Sequence, residues 1–249
     1  MQEYCTLTRR ELSGFFLSLT GYIVIAAAAF LIGFSFIVML IRLGNDATPM
    51  PMTELFYVTP FFWVILLLTV PVITMRLFAQ EKFSGTYETL MTTPVTDLQV
   101  VAAKFTAAVL FYMVMWLPLL ACILILRHFS TDRAPIDFGG IGSTFLGILL
   151  LGCFFISLGC FASALTRNQV TAAIIGLVFN ISVFLLSFLS DRAGENNWKS
   201  DLLSFFSLPD QMHDFSRGVV DSRPVIFCVT LTFFFLFITL RMVESRRWK

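Results

Sequence analysis

The sequence predicts an all-α integral membrane protein with six transmembrane helices and a short polar helix between spans two and three. Two observations carry this. Of the 249 residues, 57% are apolar and only 13% charged, and 29 are phenylalanine. A soluble domain carries about 25% charged residues, and one with this many phenylalanines would expose large apolar patches. The apolar residues also fall into six runs of the length a bilayer core asks of a helix, roughly 20 residues. None shows the alternating pattern of a membrane barrel.

Taken in order, the N-terminal "CTLTRRELSGFF" sets Leu7, Leu12, Phe15 and Phe16 on one side of a helix. It reads as an amphipathic helix on the inner surface, running into span one at Phe15–Ile41. Arg9 and Arg10 precede that run, and Ala26–Ala29 is similar to a signal-peptide cleavage site. The run continues unbroken to Ile41, however, which favours a span. Spans two to six are Leu55–Met75, Val100–Leu126, Ile141–Leu165, Val170–Leu189 and Val225–Leu240. Pro71 and Pro118 are expected to kink spans two and three. Gly147, Gly152 and Gly159 with Ala162 and Ser163 permit close helix approach in span four. Asn180, the most polar residue deep in a span, is expected to act as helix–helix glue. Only "TRNQ" joins spans four and five, which must form a tight hairpin. The outer segment 191–224 holds Leu202, Leu203, Phe205, Phe206 and Leu208 among Ser and Asp, and is expected to be interfacial or partly re-entrant. His213 lies near Asp210 and Asp214, and a solvated loop is the expected setting rather than a metal site.

Orientation follows from the distribution of charge. With both termini inside, ten of the 17 Lys and Arg residues fall on the inner side and ten of the 16 Asp and Glu residues on the outer side. The basic ending "ESRRWK" agrees with a cytoplasmic C-terminus.

Several function classes are disfavoured. A net charge of +1 gives no basic surface for nucleic acid. None of the four lysines (Lys82, Lys104, Lys199, Lys249) follows a glycine, so there is no G-x-x-x-x-G-K-[ST] loop to cradle ATP phosphates. There is no G-x-S-x-G, and both histidines fall in outer loops, so no intramembrane catalytic or metal centre is expected. The span interiors carry no Asp, Glu, Lys or Arg apart from Lys104 near one end, which argues against an ion-coupled transporter or channel. Cys5, Cys122, Cys153, Cys160 and Cys228 form no CxxC and read as small apolar residues.

The polar stretch "EKFSGTYETLMTTPVTDLQ", residues 81–99, stands out between two apolar runs. Phe83, Tyr87, Leu90 and Met91 share one helical face, and Ser84, Glu88 and Thr92 another. Ser84 or Thr86 is expected to cap the start of this helix, with Glu88 near its positive end. Pro94 ends it, and Thr96-Asp97-Leu98-Gln99 forms a capping box that opens the next helix. On residues alone, a connector floating on lipid headgroups remains an alternative.

Residues 74–105, "TMRLFAQEKFSGTYETLMTTPVTDLQVVAAKF", resemble the signature of ABC-2 type permeases. The matching residues are Glu81-Lys82, Gly85-Thr86, Glu88, Leu90, Pro94-Val95 and Lys104. Gln80 departs from it, since the family often has an acidic residue there. "FASALTRNQVTAAII" and "FSRGVVDSRPV" are similar to the gliding-motility and multicopper-enzyme-maturation permease branch. The resemblance implies a single transmembrane permease domain over residues 1–249, with both termini cytoplasmic in the cell (inner or plasma) membrane. It implies that the stretch is a coupling helix. Glu81, Lys82, Phe83, Gly85, Thr86, Tyr87, Glu88, Leu90, Met91 and Pro94 would then contact a separate ABC ATP-binding subunit. This chain would bind no cofactor, the ATP and Mg being used by the partner. A second permease chain, identical or related, would complete the exporter. The alternative is a non-transporting membrane scaffold for a surface assembly machine.

Overall fold

The computed structural model describes residues 2–43, 54, 56–57, 59–85, 95–129, 138–189 and 207–247. Among these there is no strand. The helices are α1 (Gln2–Phe16), α2 (Leu19–Leu43), α3 (Pro60–Thr74), α4 (Ala79–Ser84), α5 (Asp97–Phe129), α6 (Phe138–Leu165), α7 (Gln169–Leu189), α8 (Leu208–Ser216) and α9 (Ser222–Arg247). Six segments are long and apolar enough to cross a membrane: Leu19–Ile41, Pro60–Ser84, Asp97–Leu126, Phe138–Leu165, Gln169–Ser187 and Ser222–Ser245. The second segment combines α3, a four-residue turn and α4.

The expected spans are all present, and the largest shifts of start are in the first two. Span one begins at Leu19 rather than Phe15, because the chain breaks at Leu17–Ser18 and Phe15 and Phe16 belong to α1. Their rings pack on Phe111 of α5, centroids 5.0 and 5.4 Å away, which fixes α1 against the bundle. Span two begins at Pro60 rather than Leu55. A proline whose missing N–H is no loss in a first turn suits that start.

Helix α6 is the hub, flanked by α3, α5, α7, α8 and α9. In its apolar window 67% of residues are buried inside the chain, against 17% for α9, so α6 is a core helix and α9 a peripheral one. Its glycines explain the close packing. A Cβ on Gly152 would lie 2.2 Å from the Tyr112 ring, and one on Gly159 would lie 2.2 Å from Thr74 Oγ1. Around this seam, Trp116, Phe62, Tyr112 and Phe155 are fully buried. The hairpin after α6 is as tight as expected: α6 ends at Leu165, α7 starts at Gln169, and Asn168 Oδ1 accepts the Val170 N–H at 2.9 Å. Asn180 is fully buried, and among the described residues neither its Oδ1 nor its Nδ2 has a hydrogen-bond partner, so the expected polar contact to a neighbouring helix is not made among them.

Helix α8 lies at the end of the segment expected to be interfacial or partly re-entrant. Leu208, Met212 and Phe215 are buried, Ser143 Oγ donates to the Phe215 carbonyl at 2.6 Å, and the Leu208 N–H donates to Ser187 Oγ at 3.4 Å. The helix is therefore inserted against α6 and α7. Leu202, Leu203, Phe205 and Phe206 lie outside the described residues.

Candidate functional site

The face carrying the N-terminal helix is organised around one buried ammonium group. Lys104 sits two turns into α5, and only 2% of its side chain is exposed. An uncompensated ammonium at that depth would be untenable. Two carboxylates meet it: Glu81 Oε1 from α4 at 2.8 Å and Glu11 Oε2 from α1 at 3.1 Å. The Phe78 ring covers it, with the centroid 5.7 Å from Nζ. Arg10 closes the set, its Nη2 lying 2.9 Å from Glu11 Oε1 and 3.4 Å from Glu81 Oε1. Three elements far apart in sequence are thus tied through one cation.

The turn between α3 and α4 is fixed to α6 as well. Ser163 Oγ accepts the N–H groups of Phe78 and Ala79, both at 3.1 Å, and donates to the Met75 carbonyl. Lys82 Nζ donates to the Ala164 carbonyl in the last turn of α6, where the helix dipole favours a cation. Segment 75–85 is thereby clamped to α1, α5 and α6.

Sequence reasoning placed Glu81, Lys82, Phe83 and Gly85 in a contact with another subunit, and their places differ. Glu81 and Lys82 turn inward into the clamp. Phe83 is 78% exposed. Gly85 has φ +72° and terminates α4 in a left-handed conformation. This corrects the expected helix start at Ser84. Ser84 closes a helix instead, and Phe83 belongs to α4, on the N-terminal side of Gly85. Thr86, Tyr87, Glu88, Leu90, Met91 and Pro94 lie outside the described residues. The capping box forms as expected: the Thr96 N–H donates to Gln99 Oε1 at 3.2 Å, and the Gln99 N–H donates to Thr96 Oγ1 at 3.4 Å.

A second ion cluster lies at the opposite face. Glu54 is 3% exposed and takes a two-pronged bond from Arg217, whose Nη2 donates to Oε1 at 3.0 Å and Nε to Oε2 at 3.2 Å. His213 Nε2 is 3.1 Å from the same Oε1. His213 thus lies in a helix rather than in the expected loop, with 34% of its side chain still exposed. Burial, and then the Glu54 charge, push the Tyr57 phenol beside it up to about 12, keeping it neutral. Among the described residues no cluster of His, Cys, Asp and Glu is suited to a metal ion.

The docking of α1 has a predictable pH dependence. Burial pushes the Glu11 carboxyl up, but Lys104 and Arg10 together outweigh this, and the group titrates below its ordinary 4.5. A depressed carboxylate contributes stability that is complete above the ordinary value and is lost as pH falls through the folded-state value. A nitroxide on exposed Cys5, with the other cysteines replaced, should stay immobile from pH 7 down to about 4.5 and become mobile below that. A flat mobility profile down to pH 3 would contradict the role given to Glu11.

Comparison with known proteins agrees with this architecture. No curated protein matches the chain. The family described as ABC-2 family transporter protein matches residues 45–241, from the segment after α2 into the last turns of α9, and so takes in five of the six spans and both ion clusters except the α1 residues. A match over most of the chain, on an all-helical bundle of six apolar spans, places the protein: it is a multi-pass membrane protein that belongs to the ABC-2 family of transporters.

Proposed function

We propose that the chain is the membrane-spanning permease subunit of an ATP-binding-cassette exporter in the cell membrane. A separate ATP-binding subunit would hydrolyse ATP with Mg, and a second permease chain would complete the pathway. Both termini would be cytoplasmic, and residues 1–249 would form one permease domain. The branch suggested is the gliding-motility and multicopper-enzyme-maturation one, which rests on sequence resemblance alone.

One observation carries the reading. Segment 75–85 is clamped to three helices by Lys104, Lys82 and Ser163, yet it ends with Phe83 exposed beside the segment that resembles a coupling helix. A lever needs this combination: a rigid attachment to the spans and an apolar handle for a partner. Force applied at residues 81–94 would pass through Glu81 to α1 and α5, and through Lys82 and Ser163 to α6.

The test is retention of the ATP-binding subunit by the tagged permease purified from its own membranes. Burying a phenylalanine is worth about 1.5–3 kcal/mol, so Phe83→Asp should weaken retention by roughly 10- to 100-fold. Insertion and thermal stability should stay near wild type, because Phe83 is largely free of the fold. A wild-type chain that carries no ATP-binding subunit would defeat the exporter reading and leave the scaffold alternative.

A further inference from the structure

A cavity of about 450 Å³ opens beside the Lys104 cluster, between α1, the α3–α4 turn and α5. Three cations, Arg10, Arg76 and Lys104, line it with two carboxylates, Glu11 and Glu81. Lys104 and Arg10 are matched by those carboxylates. Arg76 is not: it makes no ion pair among the described residues, and its Nε is buried without a hydrogen-bond partner. The cavity therefore holds one positive charge in excess, on a guanidinium with an unmet donor. Such a donor is costly to leave unsatisfied, and a planar fork of N–H groups fits a phosphate or carboxylate.

The position of the cavity narrows the ligand. Ser18 lines it, at the elbow where α1 turns into span one. Leu17 and Leu19 on either side are 84% and 78% exposed, as residues immersed in lipid would be. Phe15 and Leu77 add apolar wall. The site thus sits at the elbow where α1 meets the start of the first apolar span, with both polar and apolar lining.

We propose that this cavity binds a phosphate group, held by Arg76, and that the elbow geometry favours the phosphate of an inner-face phospholipid. The bound anion would satisfy Arg76 and pin the elbow between α1 and α2. It requires no assumption about cargo or about an ATP-binding partner.

Native mass spectrometry of the detergent-purified protein provides the test, with phosphatidylglycerol, the uncharged lipid dioleoylglycerol and inorganic phosphate as probes. Phosphatidylglycerol adducts should exceed dioleoylglycerol adducts, and Arg76→Gln should lower them at least 10-fold, while Arg76→Lys retains most of them. Gln80→Glu, which places a third carboxylate on the cavity wall without removing the arginine, should also lower them. If millimolar inorganic phosphate displaces the lipid fully, the site is a phosphate site filled from solution. If it does not, the phospholipid is the source. Equal phosphatidylglycerol binding by wild type, Arg76→Gln and Gln80→Glu overturns the proposal, as does equal binding of the uncharged lipid.

Discussion

Lys104→Met should be among the most damaging single changes outside the apolar core. The substitution nearly preserves side-chain volume and suits a membrane helix, so hydropathy alone predicts tolerance. The structure predicts the reverse. Removing the ammonium leaves Glu11 and Glu81, 16% and 17% exposed, facing one another with only Arg10 between them. Breaking a buried pair by deleting one partner costs about 3–5 kcal/mol. For a chain of this size that is a fall in thermal midpoint on the order of 10 °C. The defect should shrink as pH falls, because protonating Glu11 removes the repulsion. Adding Glu11→Gln and Glu81→Gln to Lys104→Met should therefore recover much of the lost stability at pH 7. If Lys104→Met melts with the wild type, or the triple variant melts below the single one, the cluster is not held by charge.

That prediction was out of reach from the sequence, and the reason is physical. Lys104 looked like an interfacial lysine near a span end because its position along α5 is all that composition reveals. Its partners lie 23 residues away in α4 and further still in α1. Pairings of that kind are fixed by helix packing and leave no periodic trace. The Glu54–Arg217 pair spans 163 residues and was invisible for the same reason. Local features were legible because both partners sit within one turn: the Thr96–Gln99 box, the Asn168 hairpin and the length of each span are set by near neighbours. Gly85 shows where a local signal was available but was outweighed by a competing one. A glycine just after Lys82 and Ser84 is a helix-stop pattern. The apolar spacing from Phe83 through Met91 pointed instead to a continuing helix, and at Gly85 the backbone follows the glycine.

Gly159→Ala should have an effect of the same order by a different route. The added methyl would meet Thr74 Oγ1 at 2.2 Å and Thr74 Cβ and Cγ2 at 2.7 Å. Cβ is attached to the backbone, so rotating the threonine side chain cannot relieve the clash, and α3 must move away from α6. Overpacking alone costs typically 1–3 kcal/mol. One turn further along α6, Ser163 holds the Phe78 and Ala79 N–H groups, and those bonds, worth about 1 kcal/mol each, would stretch with the same shift. Gly152→Ala should behave alike, since Tyr112 is fully buried and its hydroxyl donates to the Ile148 carbonyl. Gly142→Ala and Gly33→Ala are the controls. Nothing lies within 4 Å of either added methyl, and the better helix propensity of alanine should leave stability unchanged or slightly raised. Thermal midpoints in detergent would rank the four. A wild-type midpoint for Gly159→Ala would mean that α3 and α6 are not in contact at this point. The functional consequence separates this variant from Phe83→Asp. Because segment 75–85 hangs from the α3–α6 seam, Gly159→Ala should lose stability and ATP-binding-subunit retention together, whereas Phe83→Asp should lose retention alone.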